Sequence, residues 1–367
     1  MTGCSDVLLI GNDVVKDLLD MPTTMSALEA SYLGIARGSA VCRPRIDVSI
    51  PTSDAAREYR WGTMEGGSTD GYFAIRMKSD IIYHAVADDG TRTQEKYCKR
   101  PGLYCGLIFL TSVETGAPLA LINDGVLQHM RVGGDGGLGV KHMARADASV
   151  VGMLGSGGMA DTHMLAFCAA RDIRRLQVYS PTRANRERFG ARMAARHGID
   201  VQLCDQPEDV YRGADIVAAC TDAAQPVLQG DLLERGCHVV NIGGGGLPDA
   251  RTMQRVDVYL RMGDAPAPDG HDGMDDEYLR WAVAGPARGR KQRAHGVMLP
   301  EKRVTLAELT EGTRPGRVSD DQITWSERGN LQGAQFYAVA GKVYQAARAA
   351  GLGQELPDEW FLQTIRN

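Results

Sequence analysis

The sequence predicts an α/β protein of two domains: a doubly wound parallel sheet in its second half, and a discontinuous α+β domain made from the first part and the tail. Three observations predict it. At 367 residues the chain exceeds what one simple core holds. From Ser149 to Leu260 short apolar runs alternate with helical patterns, as strands buried on both faces of a parallel sheet do. Over residues 1–130, by contrast, strand-like runs are broken by GG, DG, TG and Pro turns, which suits an antiparallel or mixed sheet.

Taken in order, the first part opens on a strand (VLLI) and two helical stretches, then runs through RPRIDVSIP, EYRWGTM, YFAIRMKSD, YCGLIFLTS and APLALIND. The parallel sheet takes SVVGML (149–154), RLQVYS (175–180), DVQLC (200–204), DIVAAC (215–220), HVVNI (238–242) and DVYL (257–260). Between these runs, ADTHMLAFCAARD and ANRERFGARMAARHG read as helices, the second closed by Gly198. The tail carries an alanine-rich helix, GAQFYAVAGKVYQAARAAG, that is expected to return to the first domain. The expected boundaries are 1–130 with 323–367 for the α+β substrate-binding domain, and 146–310 for the parallel-sheet domain. The segment HAVADDGTRTQEKYCKRPG (84–102) reads as an insertion in the first domain, and GPARGRKQRAHG (285–296) as a solvated basic loop.

Composition narrows the function classes. Apolar residues make up 43% and charged residues 24%, ordinary for a soluble globular chain. A formal charge of −5 gives no electrostatic footprint for nucleic acid. The opening MTGCSDVLLIGNDVVKDLL lacks a basic n-region and a long apolar run, so no secretory signal is expected. No apolar stretch is long enough to span a bilayer, and the expected location is cytoplasmic. The eight cysteines show neither a CxxC pair nor metal-ligand spacing, and are expected to be buried, reduced thiols with no metal.

The motif that carries chemistry is VVGMLGSGGMADTHMLAF. It sets Gly155, Ser156, Gly157, Gly158, Met159 and Ala160 in a G-x-G-x-x-A turn directly after a strand and before a helix. The first glycine allows the tight turn, the second lets the backbone approach a pyrophosphate, and the small third residue lets helix and strand pack closely. The helix N-terminus then offers free N–H groups to the phosphates. The domain is therefore expected to be a Rossmann domain binding NAD(P), with Thr221 and Gly243 as further contacts after later strands. An acid at the end of the second strand would bind the 2′-hydroxyl of NAD; here Ser180, Thr182 and Arg183 stand there, and no acid precedes Glu187. Hydroxyls plus an arginine suit a 2′-phosphate, so NADP(H) is favoured and NAD(H) kept as the alternative.

The blocks, in their order and spacing, resemble the ornithine cyclodeaminase/mu-crystallin family over nearly the whole length. They are RPR (43–45), ETGAPLALINDGVLQHMRVGGDGGLGVKHMARADAS (114–149), GSGGMADTH, ADIVAACTDAAQPVL, HVVNIGGGG and ITWSERGNLQGAQF. The resemblance implies a Rossmann domain beside a dimerising substrate domain, and a homodimer. It implies that Arg131 clamps a substrate carboxylate and that Arg45 adds a second contact, work suited to a two-pronged guanidinium. The family's active-site lysine falls on the strand YFAIRMKSD. The nearest spacing there gives Arg76, with Lys78 two residues on and on the same face. Lys78 is preferred for proton chemistry because lysine can lower its pKa when buried, with Glu65 and His129 as weaker alternatives.

Two departures bear on the reaction. Cyclodeaminases carry an aspartate in the loop after the strand matching HVVNI, where this chain has GGGGLPD (243–249) and Asp249 is displaced. They also carry an acid just before the methionine of the turn, where this chain has Gly62 or Thr63, with Glu65 after it. Activation of a second substrate amine needs a placed base. The expected activity is therefore NAD(P)H-dependent reduction of the imine of a small 2-oxo acid, or oxidation of the matching amino acid. The alternatives are a cyclodeaminase-type lyase and a non-catalytic NADP-linked binding protein.

Overall fold

The computed structural model describes residues 6–86, 92–221, 223, 226–242, 248–265, 278–283 and 300–365. They form two sheets. The second half builds an eight-stranded, all-parallel sheet in the order Asp200–Leu203, Arg175–Tyr179, Val150–Leu154, Ile216–Ala219, His238–Asn241, Thr324–Glu327, Val258–Arg261, Arg303–Thr305. The chain order reverses beside Val150–Leu154, which places a ligand crevice outside the carboxyl end of that strand. Val151, Met153, Leu176, Val178, Ile216 and Ala218 are fully buried, as strands covered on both faces require.

The first sheet is mixed. Its path runs Tyr278–Val283, Arg45–Pro51, Arg57–Ser68, Tyr72–Val86, Cys105–Ser112, Pro118–Asn123, Val7–Ile10, Gln354–Leu356, with Ala40–Cys42 and Arg92–Tyr97 pairing off it. Tyr278–Val283 lies parallel to Arg45–Pro51, and Val7–Ile10 parallel to Pro118–Asn123; the other pairs are antiparallel. Helices Met21–Arg37 and Gln332–Ala350 cover one face, around Ile108, Leu110, Ile122 and Phe336.

The chain crosses between the sheets more often than the expected boundaries allow. Tyr278–Val283 falls within the span assigned to the Rossmann domain but joins the first sheet. Thr324–Glu327 falls within the span assigned to the tail but sits inside the parallel sheet. Its sequence, TWSE, offers no apolar run to reveal a central strand. Its hydroxyls are answered inside the protein, Thr324 Oγ1 at 2.9 Å and Ser326 Oγ at 3.2 Å from the two ring nitrogens of His238. Helix Gln332–Ala350 then packs back on the first sheet.

Helix Gly125–Met143 joins the two halves and is paved with glycine on the sides that touch them. A methyl group at residue 133 would stand 2.5 Å from the Thr162 carbonyl oxygen, and one at 137 would stand 2.7 Å from Ala166 Cβ, both on helix Gly158–Ala170. On other sides, methyl groups at 134 and 139 would stand 3.0 Å from Leu28 and 2.0 Å from Ser326 Oγ. Glycine here is a matter of space. Gly133→Val should lower stability by about 1–3 kcal/mol, because the obstructing atoms are backbone and overpacking has no flexible side chain to absorb it. A urea midpoint equal to or above that of the parent protein would contradict this account.

Candidate active site

The crevice at the reversal point is shaped for a dinucleotide. Gly155 has φ +118°, and a methyl group there would stand 2.2 Å from the Cys220 carbonyl, so only glycine makes this turn. At Gly157, the N-cap of helix Gly158–Ala170, a methyl group would meet nothing within 4 Å, and no side chain caps the helix. The first N–H groups of that helix thus face open space of the kind a pyrophosphate fills. Ala160 is fully buried, and Ser156 donates to or accepts from Ser180 Oγ at 2.9 Å, tying the turn to the end of the second strand. The residues fit the group. Met159 follows in the first helical turn, its carbonyl 2.7 Å from His163 Nδ1.

At the adenosine end Thr182 is the N-cap of helix Arg183–His197, and Arg183 is exposed and paired with Glu187 at 2.7 Å. A second arginine, Arg186, is buried beneath, bonded to the Ser180 carbonyl at 3.3 Å and to Asp205 at 3.1 Å. Thr221 follows strand Ile216–Ala219 and accepts from Ala223 N at 3.2 Å. Gly243 and the four-glycine loop, like the basic stretch 285–296, lie outside the described residues.

The first sheet gathers a second group of charged residues on one of its faces. Cross-strand pairs Gly62–Lys78 and Met64–Arg76 share one face with Asp80, Arg45 and Asp47, by the two-residue period of strands. Arg45 pairs with Asp47 at 2.9 Å, Arg76 with Asp124 at 2.5 Å, and Lys78 with Asp80 at 2.6 Å. Gly62 makes room for Lys78: a methyl group at 62 would stand 2.7 Å from Lys78 Cε and 2.6 Å from Asp47 Oδ1. Burial pushes the Lys78 ammonium down to about 7, helped by the Arg45 cation and opposed by Asp80 and Asp47. Lys78 is thus poised to exchange a proton near neutrality.

Arg131 stands differently. It is buried, with Nη1 donating to Gln335 Oε1 at 2.5 Å and Nη2 to Gln128 Oε1 at 2.9 Å, while Nε has no partner. Its guanidinium lies 4.9 Å from the centre of the Phe336 ring, and Arg76 lies 5.4 Å from the same ring. Burial, with the nearby Arg328 and Arg76 cations, works against its charge. Gln335 is held in turn by Tyr32, whose hydroxyl donates to Asp135 at 2.6 Å. Sequence reasoning did not single out Gln335, Tyr32, Asp135 or Asp124. Asp124 carried the available signal, an acid just ahead of a helix.

Beside the parallel sheet lies a cleft of ≈ 650 Å³ including its open mouth, walled by Val132, Asp135, His163, Asn241, Glu327 and Arg328, among others, with Arg45, Arg76, Lys78 and Arg131 outside its lining. It opens at the carboxyl ends of strands His238–Asn241 and Thr324–Glu327. Glu327 is pushed up to about 7, chiefly by burial and further by the Asp135 carboxylate against Arg328, and it contacts Arg261.

Several candidates fall elsewhere. Glu65 points to the opposite face of the sheet from Lys78, since it is one residue out of step with Met64, and it ion-pairs with Arg43. It therefore does not join the group formed by Arg76, Lys78 and Asp124. Asp249 caps helix Ala250–Arg255, accepting from Thr252 N at 2.7 Å and Gly230 N at 3.0 Å. His129 flanks the phosphate turn, its Nε2 3.2 Å from where a methyl at Gly158 would lie, and burial lowers its pKa. Among the described residues the seven cysteines are free, and no cluster of three metal-ligating side chains occurs. Also among the described residues, no helix is long and apolar enough to cross a membrane.

Known proteins resemble the chain in sequence and in fold. The alanine dehydrogenase of Archaeoglobus fulgidus is 25% identical over 352 residues, covering 96% of this chain and 98% of that protein. The ornithine cyclodeaminase of Agrobacterium fabrum is 26% identical over 218 residues, covering 59% of this chain and 56% of that one. The Thermococcus litoralis Delta(1)-pyrroline-2-carboxylate reductase, solved in complex with NADH and L-proline, superposes with a TM-score of 0.73 at 21% identity, over 95% of this chain and 100% of that one. The family model described as the ornithine cyclodeaminase/mu-crystallin family matches residues 103–348. The chain belongs to the ornithine cyclodeaminase/mu-crystallin family.

Proposed function

We propose that this protein is an oxidoreductase that reduces the C=N bond of a small 2-imino acid, or oxidises the matching amino acid, with a nicotinamide dinucleotide held at the Gly155–Ala160 turn. The observation that carries this reading is Arg131, a buried cation bonded to two amide oxygens with its Nε unpartnered. A substrate carboxylate gripped there would supply the missing negative charge and fix the substrate against the cofactor crevice. The nicotinamide, when bound, supplies or accepts the hydride. Arg76, anchored on Asp124 and stacked on Phe336, supports the same carboxylate, and Arg45 guards the outer edge. Lys78 Nζ gives the proton in reduction and takes it back in oxidation.

We infer the cofactor to be NAD(P)(H), with NADP(H) preferred because Ser180, Thr182 and Arg183 meet the adenosine ribose where an acid would select NAD. We also infer a homodimer. The sheet face opposite the site carries Trp61, Ile75, Met77, Leu107 and Phe109, partly exposed apolar residues that a second copy would cover.

A second reading has one observation in its favour. Glu327, held near 7 in the cleft wall, offers a carboxylate able to take a proton at neutral pH, as a cyclodeaminase-type lyase needs. The residue space beside the methionine argues against it, since Gly62 is overlain by the Lys78 stem.

The deciding assay follows NADPH oxidation with cyclic and linear 2-imino acids, beside ammonia and proline release from L-ornithine with catalytic NAD. Imine reduction without ornithine turnover is expected, and Arg131→Lys should lose most of it, because an ammonium cannot reproduce the two-pronged grip. Stoichiometric ammonia and proline would replace this reading with the lyase. Because Lys78 is protonated only below about 7, kcat/KM for reduction should fall as pH rises through that value, and that for oxidation should rise. Lys78→Arg should remove that inflection and cost about 10²–10⁴-fold in rate; an inflection that persists would assign the proton to another group. Finally, Arg183→Ala should weaken NADPH about 10-fold and leave NADH nearly unchanged, as loss of one charge-assisted contact implies. Equal weakening of both cofactors would show that Arg183 does not read the phosphate.

A further inference from the structure

Strands Arg92–Tyr97 and Cys105–Ser112 pair one after the other along the same edge of Tyr72–Val86, whose other edge is taken by Arg57–Ser68. Tyr97 stands opposite Ile81 and Cys105 opposite Ser79, so the chain leaves and re-enters the sheet with only Asp80 between. The two strands are in effect one strand interrupted by residues 98–104. At about 3.3 Å per residue, Tyr97 and Cys105 lie about 7 Å apart along the edge, and Cys98 starts the excursion between them.

The excursion is tied shut at its neck. Cys98 N donates to the Leu103 carbonyl at 2.7 Å, Arg100 N to the Cys98 carbonyl at 2.8 Å, and Leu103 N to the Arg100 carbonyl at 3.2 Å. Lys99, at φ +68°, turns the chain there and is the only non-glycine residue at positive φ among the described residues. The neck therefore brings two cysteines together, and the thiols of Cys98 and Cys105 are hydrogen-bonded to each other. Both are free and partly exposed, whereas Cys42, Cys204, Cys220 and Cys237 are buried. Every residue from Lys99 to Tyr104 is exposed, so a small oxidant can reach the neck. A disulfide needs its Cα atoms within about 4.4–6.8 Å, a span that a neck this narrow offers without moving the sheet.

We propose that Cys98 and Cys105 are a redox modification site, closed by peroxide into a disulfide across the neck of the loop and reopened by thiols. The Cys98 thiolate attacks the O–O bond of hydrogen peroxide, keeping one oxygen as a sulfenic acid and releasing the other as hydroxide. The Cys105 sulfur then forms the S–S bond and expels the sulfenic oxygen as water. The thiol pair gives up two electrons, and the peroxide, with the two thiol protons, leaves as two waters. Cys105 suits the second step, because burial, with Cys98 and the Asp124 and Asp80 carboxylates nearby, holds its thiol above the ordinary value. The bond ties strand Arg92–Tyr97 to Cys105–Ser112 beside Asp80, the residue that holds Lys78.

The test takes the full-length protein, reduced and freed of reductant, through about a tenfold excess of hydrogen peroxide, then denaturation in iodoacetamide, intact mass and peptide mapping. Two of the eight thiols should escape alkylation, and one peptide pair should join residues 98 and 105. Without alkylation the treated protein should weigh about 2 Da less, and dithiothreitol should restore all eight thiols. Cys98→Ser and Cys105→Ser should each remove the bond and leave the remaining neck cysteine unlinked. Full alkylation of both cysteines in the treated parent, a bond from either one to another cysteine or to a second copy, or sulfinic acid at either without a bond would overturn the proposal.

Discussion

The close seating of helix Gly125–Met143 against helix Gly158–Ala170 is the constraint on which the geometry rests. One helix carries Arg131 and begins at Asp124; the other begins at the phosphate turn. Their separation is set by Gly133 and Gly137, where a methyl group would run into Thr162 backbone or Ala166 Cβ. Arg131 on the one helix and the phosphate turn at the start of the other are thereby held at a fixed spacing. Since precise placement of reacting groups accounts for much of catalysis, a displacement of one ångström at this contact would be felt at the chemistry.

On the mixed sheet, order comes from charge pairing. Each acid on the site face holds one cation in a chosen direction, so that Arg76 lies on Phe336 and Lys78 lies over Gly62. Bare burial of so many charges would be costly, and pairing offsets most of that cost. What stays without an ion pair is then informative, because a buried cation lacking one is costly to keep. Arg131 is such a residue, bonded to two amide oxygens with its Nε unpartnered.

Much of this was legible in the sequence where the local rule is strong. The G-x-G-x-x-A turn needs glycine for its positive φ and its open phosphate side, and both requirements act within six residues. The α/β class followed from apolar runs that parallel strands must have. What escaped were features settled by long-range contacts. Thr324–Glu327 lacks an apolar run yet lies centrally, because His238 across the sheet satisfies its hydroxyls. Tyr278–Val283 pairs with a strand more than two hundred positions earlier, which no local period announces. Glu65 shared the right neighbourhood in sequence, but strand alternation sends it to the far side. Gln335 and Tyr32, which brace Arg131, are joined to it only by the fold.

The overlap of Gly62 and Lys78 has a consequence for how this site could change over time. The stem of Lys78 fills the volume any side chain at position 62 would need, and Asp47 closes the other side. A carboxylate can therefore enter at 62 only if the Lys78 and Asp47 side chains swing aside. Such a substitution collides with two side chains that are already paired. The two positions are therefore coupled: an acid gained at 62 while Lys78 is present must displace a side chain that is already paired with Asp80.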